Sequence, residues 1–135
     1  MTGSAAGLGW ERLAQAVADL VPASEVDGVW LFTPIRHEAR EWGTAVLSRV
    51  DGERRRIYTA RYVLAIKGKE RGRFETSIEE VGSGPVDALA SLLQEAHRRI
   101  DDEHPPAPVP PEVWFASVRP SVETAPAPAG DAASR

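Results

Sequence analysis

Between positions 10 and 21, apolar side chains return every three or four residues: Trp10, Leu13, Ala14, Val17, Leu20 and Val21 share one stripe of a helix. Gly9 is an acceptable cap, Glu11 suits the positive end of the helix dipole, and Pro22 ends the pattern. After a turn at Asp27 and Gly28 the period falls to two. Positions 29–33 read as a strand that is apolar on both faces, with Trp30 and Phe32 on one and Val29 and Leu31 on the other. A polar loop over 34–40 leads into a second strand, 41–50, where Trp42, Thr44, Val46, Ser48 and Val50 alternate with Gly43, Ala45, Leu47 and Arg49.

The third strand, 54–67, is the longest and the expected centre of the sheet, entered through a hairpin turn at Asp51 and Gly52. Its parity sorts the side chains. Tyr58, Ala60, Tyr62, Leu64 and Ile66 carry no charge and are predicted to face the core. Ile57, Thr59, Arg61, Val63, Ala65 and Lys67 are predicted to face out. Gly68 to Gly72 form a turn, and a fourth strand over 73–81 sends Phe74, Thr76 and Ile78 inward and Arg73, Glu75, Ser77 and Glu79 outward. Gly82, Ser83, Gly84 and Pro85 then end the sheet and open a second helix with Pro85 near its first position. Val86, Leu89, Ala90, Leu93, Ala96, His97 and Ile100 form its apolar stripe. At about 1.5 Å per residue it spans roughly 24 Å, the length of a strand of about seven residues.

The predicted fold is therefore α+β, a two-layer sandwich. A four-stranded antiparallel meander carries the N-terminal and the C-terminal helix on one face, in the order α-β-β-β-β-α, followed by a Pro-rich C-terminal arm. One domain covers 9–104. PPAPVPP, over 105–111, reads as a polyproline linker delivering a short apolar arm over 112–119, while residues 1–8 and 120–135 have the composition of disordered ends.

Composition narrows the chemistry. The chain has 135 residues and no cysteine, so disulfides, thiolate metal sites and cysteine nucleophiles are excluded. The longest apolar runs are four residues, far below the roughly 20 of a membrane helix. The N-terminus lacks the basic and apolar regions of a signal peptide, so a cytoplasmic location is expected. The dominance of Arg over Lys suggests a GC-rich, bacterial coding sequence. The net charge of −4 conceals a segregation: nine basic residues against three acidic ones over 49–73, then eight acidic against two arginines over 74–104.

No residue pattern specifies catalysis, and the chain is expected to be non-enzymatic and to carry no cofactor. His37 lies in a charged loop, His97 falls on a helix stripe and His104 precedes a proline; none has a partner at metal-ligand spacing. Two aromatic pairs, Trp30 with Phe32 and Trp114 with Phe115, are the candidate contacts for protein interaction, which gives the leading reading. That reading is a small module that self-associates through an open sheet face and its aromatic arm, the arm folding back onto the domain, exchanging between copies or docking into a partner. The alternative is nucleic-acid binding through Arg54, Arg55, Arg56, Arg61 and Lys69, with Tyr58 and Tyr62 for stacking. The order helix, antiparallel sheet, helix resembles that of double-stranded-RNA-binding domains, but Pro85, Val86 and Asp87 stand where those domains begin their last helix with lysines. Third, GSGPVDA, Gly82 to Ala88, resembles the turn into a helix in the regulatory domain of α-isopropylmalate synthases, where it helps form an amino-acid feedback site. Over those seven residues the resemblance implies small-molecule sensing.

Overall fold

Two strands of twelve residues, β3 (Arg40–Asp51) and β4 (Arg54–Ala65), pair antiparallel along their whole length and carry the fold. They are seen in a computed structural model that describes residues 7–100 and 105–116. Gly52, with φ 67°, supplies the left-handed residue that closes their two-residue hairpin. A third twelve-residue strand, β5 (Phe74–Pro85), pairs with the outer edge of β4. Two short strands share the opposite edge of β3: β1 (Val26–Leu31) lies against its second half and β2 (Ile35–His37) against Arg40 to Trp42. Pro34, between them, lacks the N–H that a continuous ladder needs. The last strand, β6 (Ala107–Val109), pairs with β1, so the path across the sheet is β5-β4-β3-β1-β6. Three helices complete the order: α1 (Gly7–Leu20), α2 (Leu89–Ile100, after a 3₁₀ turn over Val86–Ala88) and α3 (Pro111–Ala116).

The chain is α+β with an open antiparallel sheet, as its periodicity predicts, but with six strands and three α-helices among the described residues where four and two are expected. The helices also do not share a face. On one side, Trp10, Leu13, Ala14, Val17 and Val21 pack with Val29, Ala45, Leu47, Ala60, Tyr62 and Leu64, and Trp114 of α3 joins them. On the other side, Ala96 with Leu89, Leu92, Leu93 and Ile100 of α2 packs on Phe32, Val46 and Ile57. The Tyr58-to-Leu64 parity is thus the floor of one core, and Ile57, expected to face out, is the floor of a second.

Local chemistry explains the other departures. The β5 strand runs through Gly82 to Pro85 instead of breaking, and a bulge at Val81 shifts the register so that Gly82 and Gly84, opposite Ile57 and Arg55, join Val81 on the α2 face. A Cβ on Gly82 or Gly84 would sit 3.4 or 3.7 Å from Leu92, so these glycines let α2 lie close on the strand. Proline is tolerated in β6 because this strand is an edge. The arm folds back, but as a helical turn against α1 and β1, on the face opposite Phe32. Helix α1 starts at Gly7, two residues before its expected cap; the proposed disordered tail over 120–135 and His104 lie outside the described residues.

Tyr62 locks the first core. Its ring meets Trp10 edge-on at 5.2 Å between centroids and stacks on Phe74 at 5.5 Å, while its hydroxyl donates to Glu41 Oε2 at 2.5 Å. Burial and that hydrogen bond both push the phenol pKa up, so it stays a neutral donor. The ring lies over Gly43, its cross-strand partner, where a Cβ would come within 2.1 Å of Cε2. Replacing Gly43 by Ala therefore has to move a ring held on three sides. Gly43→Ala is expected to cost about 1–3 kcal/mol despite the better strand propensity of alanine, read as a lower urea midpoint at unchanged slope.

Candidate functional site

Successive strand residues point to opposite faces, so the run Arg54, Arg55, Arg56 is divided by the pleat. Arg55 goes under α2 and is buried: Nη1 donates to both carboxylate oxygens of Asp27, at 2.7 and 2.9 Å, and to Ser48, and Nε donates to the carbonyl of Val86 at 2.7 Å. The bulge in β1 between Val26 and Gly28 carries Asp27 at this junction. Arg56, on the other face, is flanked by Glu80 at 3.1 Å and Asp51 at 3.3 Å, and Arg54 donates to Ser83 Oγ. Arg61 and Lys69 are exposed. A strand of twelve residues separates Arg54 from the turn that holds Lys69, on the order of 37 Å. The five residues of the expected nucleic-acid contact do not form one patch.

The aromatic candidates are similarly divided. Phe32 and Trp114 are 3% and 2% exposed, one in each core, and Trp30 and Phe115 are half-buried beside them. Trp114 and Phe115 touch each other, 5.2 Å between ring centroids. These side chains are engaged within the chain.

What the structure leaves open lies elsewhere. Helix α2 covers only the half of its face nearest the β3–β4 hairpin. Beyond it, cross-strand rows are bare: Ile35 on Trp42 on Val63 on Glu75, and beside that row Thr44 on Arg61 on Ser77. Ile35 is 59% and Trp42 37% exposed, and they adjoin each other and half-buried Val63. Arg40 and Arg73 border the row and share Glu70, at 3.6 and 3.3 Å. Arg61, Lys67, Lys69 and Arg71, exposed at the same end, make no ion pair among the described residues. The surface is shallow. A depression lined by Arg40, Val63, Ala65, Arg73 and Glu75 has a volume of about 10 Å³, room for about one water and far short of the roughly 300–1,000 Å³ of small-molecule pockets.

Sequence reading passed over Trp42 because an alternating strand looks the same whether its apolar face is covered or bare. The available signal was its position, near the end of β3 farthest from the second helix. His97 sits edge-on to Phe32, 5.6 Å between centroids, with Nε2 buried and unbonded, and desolvation lowers its pKa. His37 is exposed, 3.4 Å from Glu38. No group of three or more His, Asp or Glu side chains is poised to hold a metal among the described residues. No protein-family model, curated protein or solved structure matches the chain.

Two measurements check these placements. Arg55→Ala leaves Ser48 and the Val86 carbonyl without their donor; because Asp27 is 42% exposed and regains water, the loss is expected near 2–3 kcal/mol, below that for a fully buried pair, in a denaturant titration. His97, held neutral when folded, makes stability decline as pH falls below its unfolded value of about 6.5, since only the unfolded chain then takes up the proton. Urea midpoints from pH 8 to pH 5 should show this decline, and it should be smaller in His97→Leu.

Proposed function

We propose that this protein is a non-enzymatic docking module that binds a protein partner through the uncovered half of its sheet. The observation that carries the reading is the apolar row Ile35, Trp42 and Val63, partly exposed on the sheet and bordered by Arg40, Arg61 and Arg73. Tryptophan and arginine around an apolar centre is the composition of binding hot spots. Strands hold the row in place, so binding orders little backbone. Fully burying a side chain of this row contributes roughly 1.5–3 kcal/mol, and with 59% of Ile35 and 37% of Trp42 still exposed a partner gains a fraction of that at each.

The expected surface thus moves from Trp30, Phe32, Trp114 and Phe115 to Ile35, Trp42 and Val63. Nucleic-acid binding stands second, supported by the exposed Arg61, Lys67, Lys69 and Arg71, which make no ion pair among the described residues, and without Arg55, which Asp27 and Ser48 hold inside. Small-molecule sensing at Gly82 to Ala88 has less support, because Leu92 occupies the space above Gly82 and Gly84.

A photo-crosslinking residue placed at Trp42, with a second at Ser91 on the exposed side of α2 as control, tests the docking reading in native lysate. The expected outcome is a nuclease-resistant protein adduct from position 42 and none from position 91. An adduct that disappears with nuclease, or equal labelling from both positions, would sink it.

A further inference from the structure

We infer that the Trp42 surface takes an acidic protein segment whose apolar side chain seats on Ile35, Trp42 and Val63 while its carboxylates meet Arg61, Lys67, Lys69 and Arg71. The inference rests on the docking reading above and adds the chemistry of the partner. It follows from charge. Elsewhere on this sheet most arginines are matched by carboxylates: Arg49 by Glu25 at 2.7 Å, Arg55 by Asp27, Arg56 by Glu80 and Asp51, Arg73 by Glu70 and Glu75, with Arg54, which donates to Ser83 alone, the exception among the described residues. At the β4–β5 end, four cations are left unmatched among the described residues, around the one bare apolar row. A partner that brings carboxylates to this rim is attracted before contact and held in register afterward.

The same charge argues against the two other occupants. A two-fold contact of this surface with a second copy gathers both cationic rims into one interface with few carboxylates to offset them, and that like charge opposes association. Single-stranded nucleic acid would satisfy the cations but needs successive aromatic platforms for its bases. On this face the row supplies one, Trp42; Tyr62 and Phe74 have the opposite parity and lie in the first core. Ile35, Val63 and Ala65 are aliphatic and suit an aliphatic or aromatic side chain of a peptide.

The test is a ¹H–¹⁵N NMR titration of the full chain with three probes: a synthetic peptide carrying a central Ile-Phe pair flanked by glutamates, the same peptide with lysines for glutamates, and an oligothymidylate. With the glutamate peptide, amide shifts are expected to saturate at Trp42, Thr44 and Val63. The lysine peptide should leave them unmoved. Arg61→Glu with Lys69→Glu, both at exposed sites and confirmed folded by their spectrum, should weaken the glutamate peptide about tenfold or more. Saturable shifts with oligothymidylate alone would overturn the inference in favour of nucleic acid, and shifts that depend on protein concentration without any probe would overturn it in favour of a second copy. Silence toward the glutamate peptide up to about 1 mM would also overturn it. If the position-42 crosslink still yields a protein adduct in that last case, the docking surface stands and only the acidic partner falls.

Discussion

A twelve-residue antiparallel ribbon is longer than the helices this chain has to cover it. The paired β3 and β4 strands run on the order of 37 Å, whereas α2, with twelve residues at about 1.5 Å each, reaches roughly 18 Å. A helix lying across such a sheet shields part of one face and no more. On the first face the chain meets the shortage with two helices, α1 and the turn of α3 that carries Trp114. On the second face α2 is the only helix among the described residues, and the region around Trp42 lies beyond it. The open surface is a consequence of element lengths, and the expectation of a roughly 24 Å helix matched to a seven-residue strand missed it because the strands are nearly twice that long.

Parity was the most legible feature of the sequence. The uncharged set Tyr58, Ala60, Tyr62 and Leu64 marks a core face without any structure, since a period of two leaves few alternatives. The opposite set mixes Ile57 and Thr59 with Arg61 and Lys67, and averaging over the strand makes it look solvated. In the fold these residues divide by position along the strand: Ile57 and Thr59 are buried beside α2, whereas Arg61 is beyond its reach. A pattern read strand by strand cannot contain that division, because it belongs to the helix. The same holds for β6, where Pro-rich composition favours an extended chain but only the bare edge of β1 makes it a strand.

The arginine run was legible in principle and misread in practice. Three consecutive basic residues look like a patch when written in a line, yet on a strand the middle one must point away from its neighbours. Arg55 enters the structure as a clamp, tying β4 to the β1 bulge, to Ser48 of β3 and to the start of the α2 segment at Val86. Its charge is used up inside the fold. The segregation of charge along the sequence therefore overstates the basic surface at the hairpin end.

Trp114 and Trp42 show how burial assigns different roles to similar residues. An aromatic at the end of a proline-rich segment has the appearance of a free anchor, and its composition alone is compatible with docking into another protein. Here the backbone carbonyl of Pro110 accepts from the N–H groups of Val113 and Trp114, starting a helical turn that drops the indole against α1. With the indole 2% exposed, the arm closes the first core. Trp42 has a glycine beside it in sequence and Ile35 and Val63 beside it in the sheet, and no helix among the described residues covers it. The difference between the two rings is coverage: Trp114 is closed into the first core, whereas Trp42 keeps 37% of its surface exposed on the sheet.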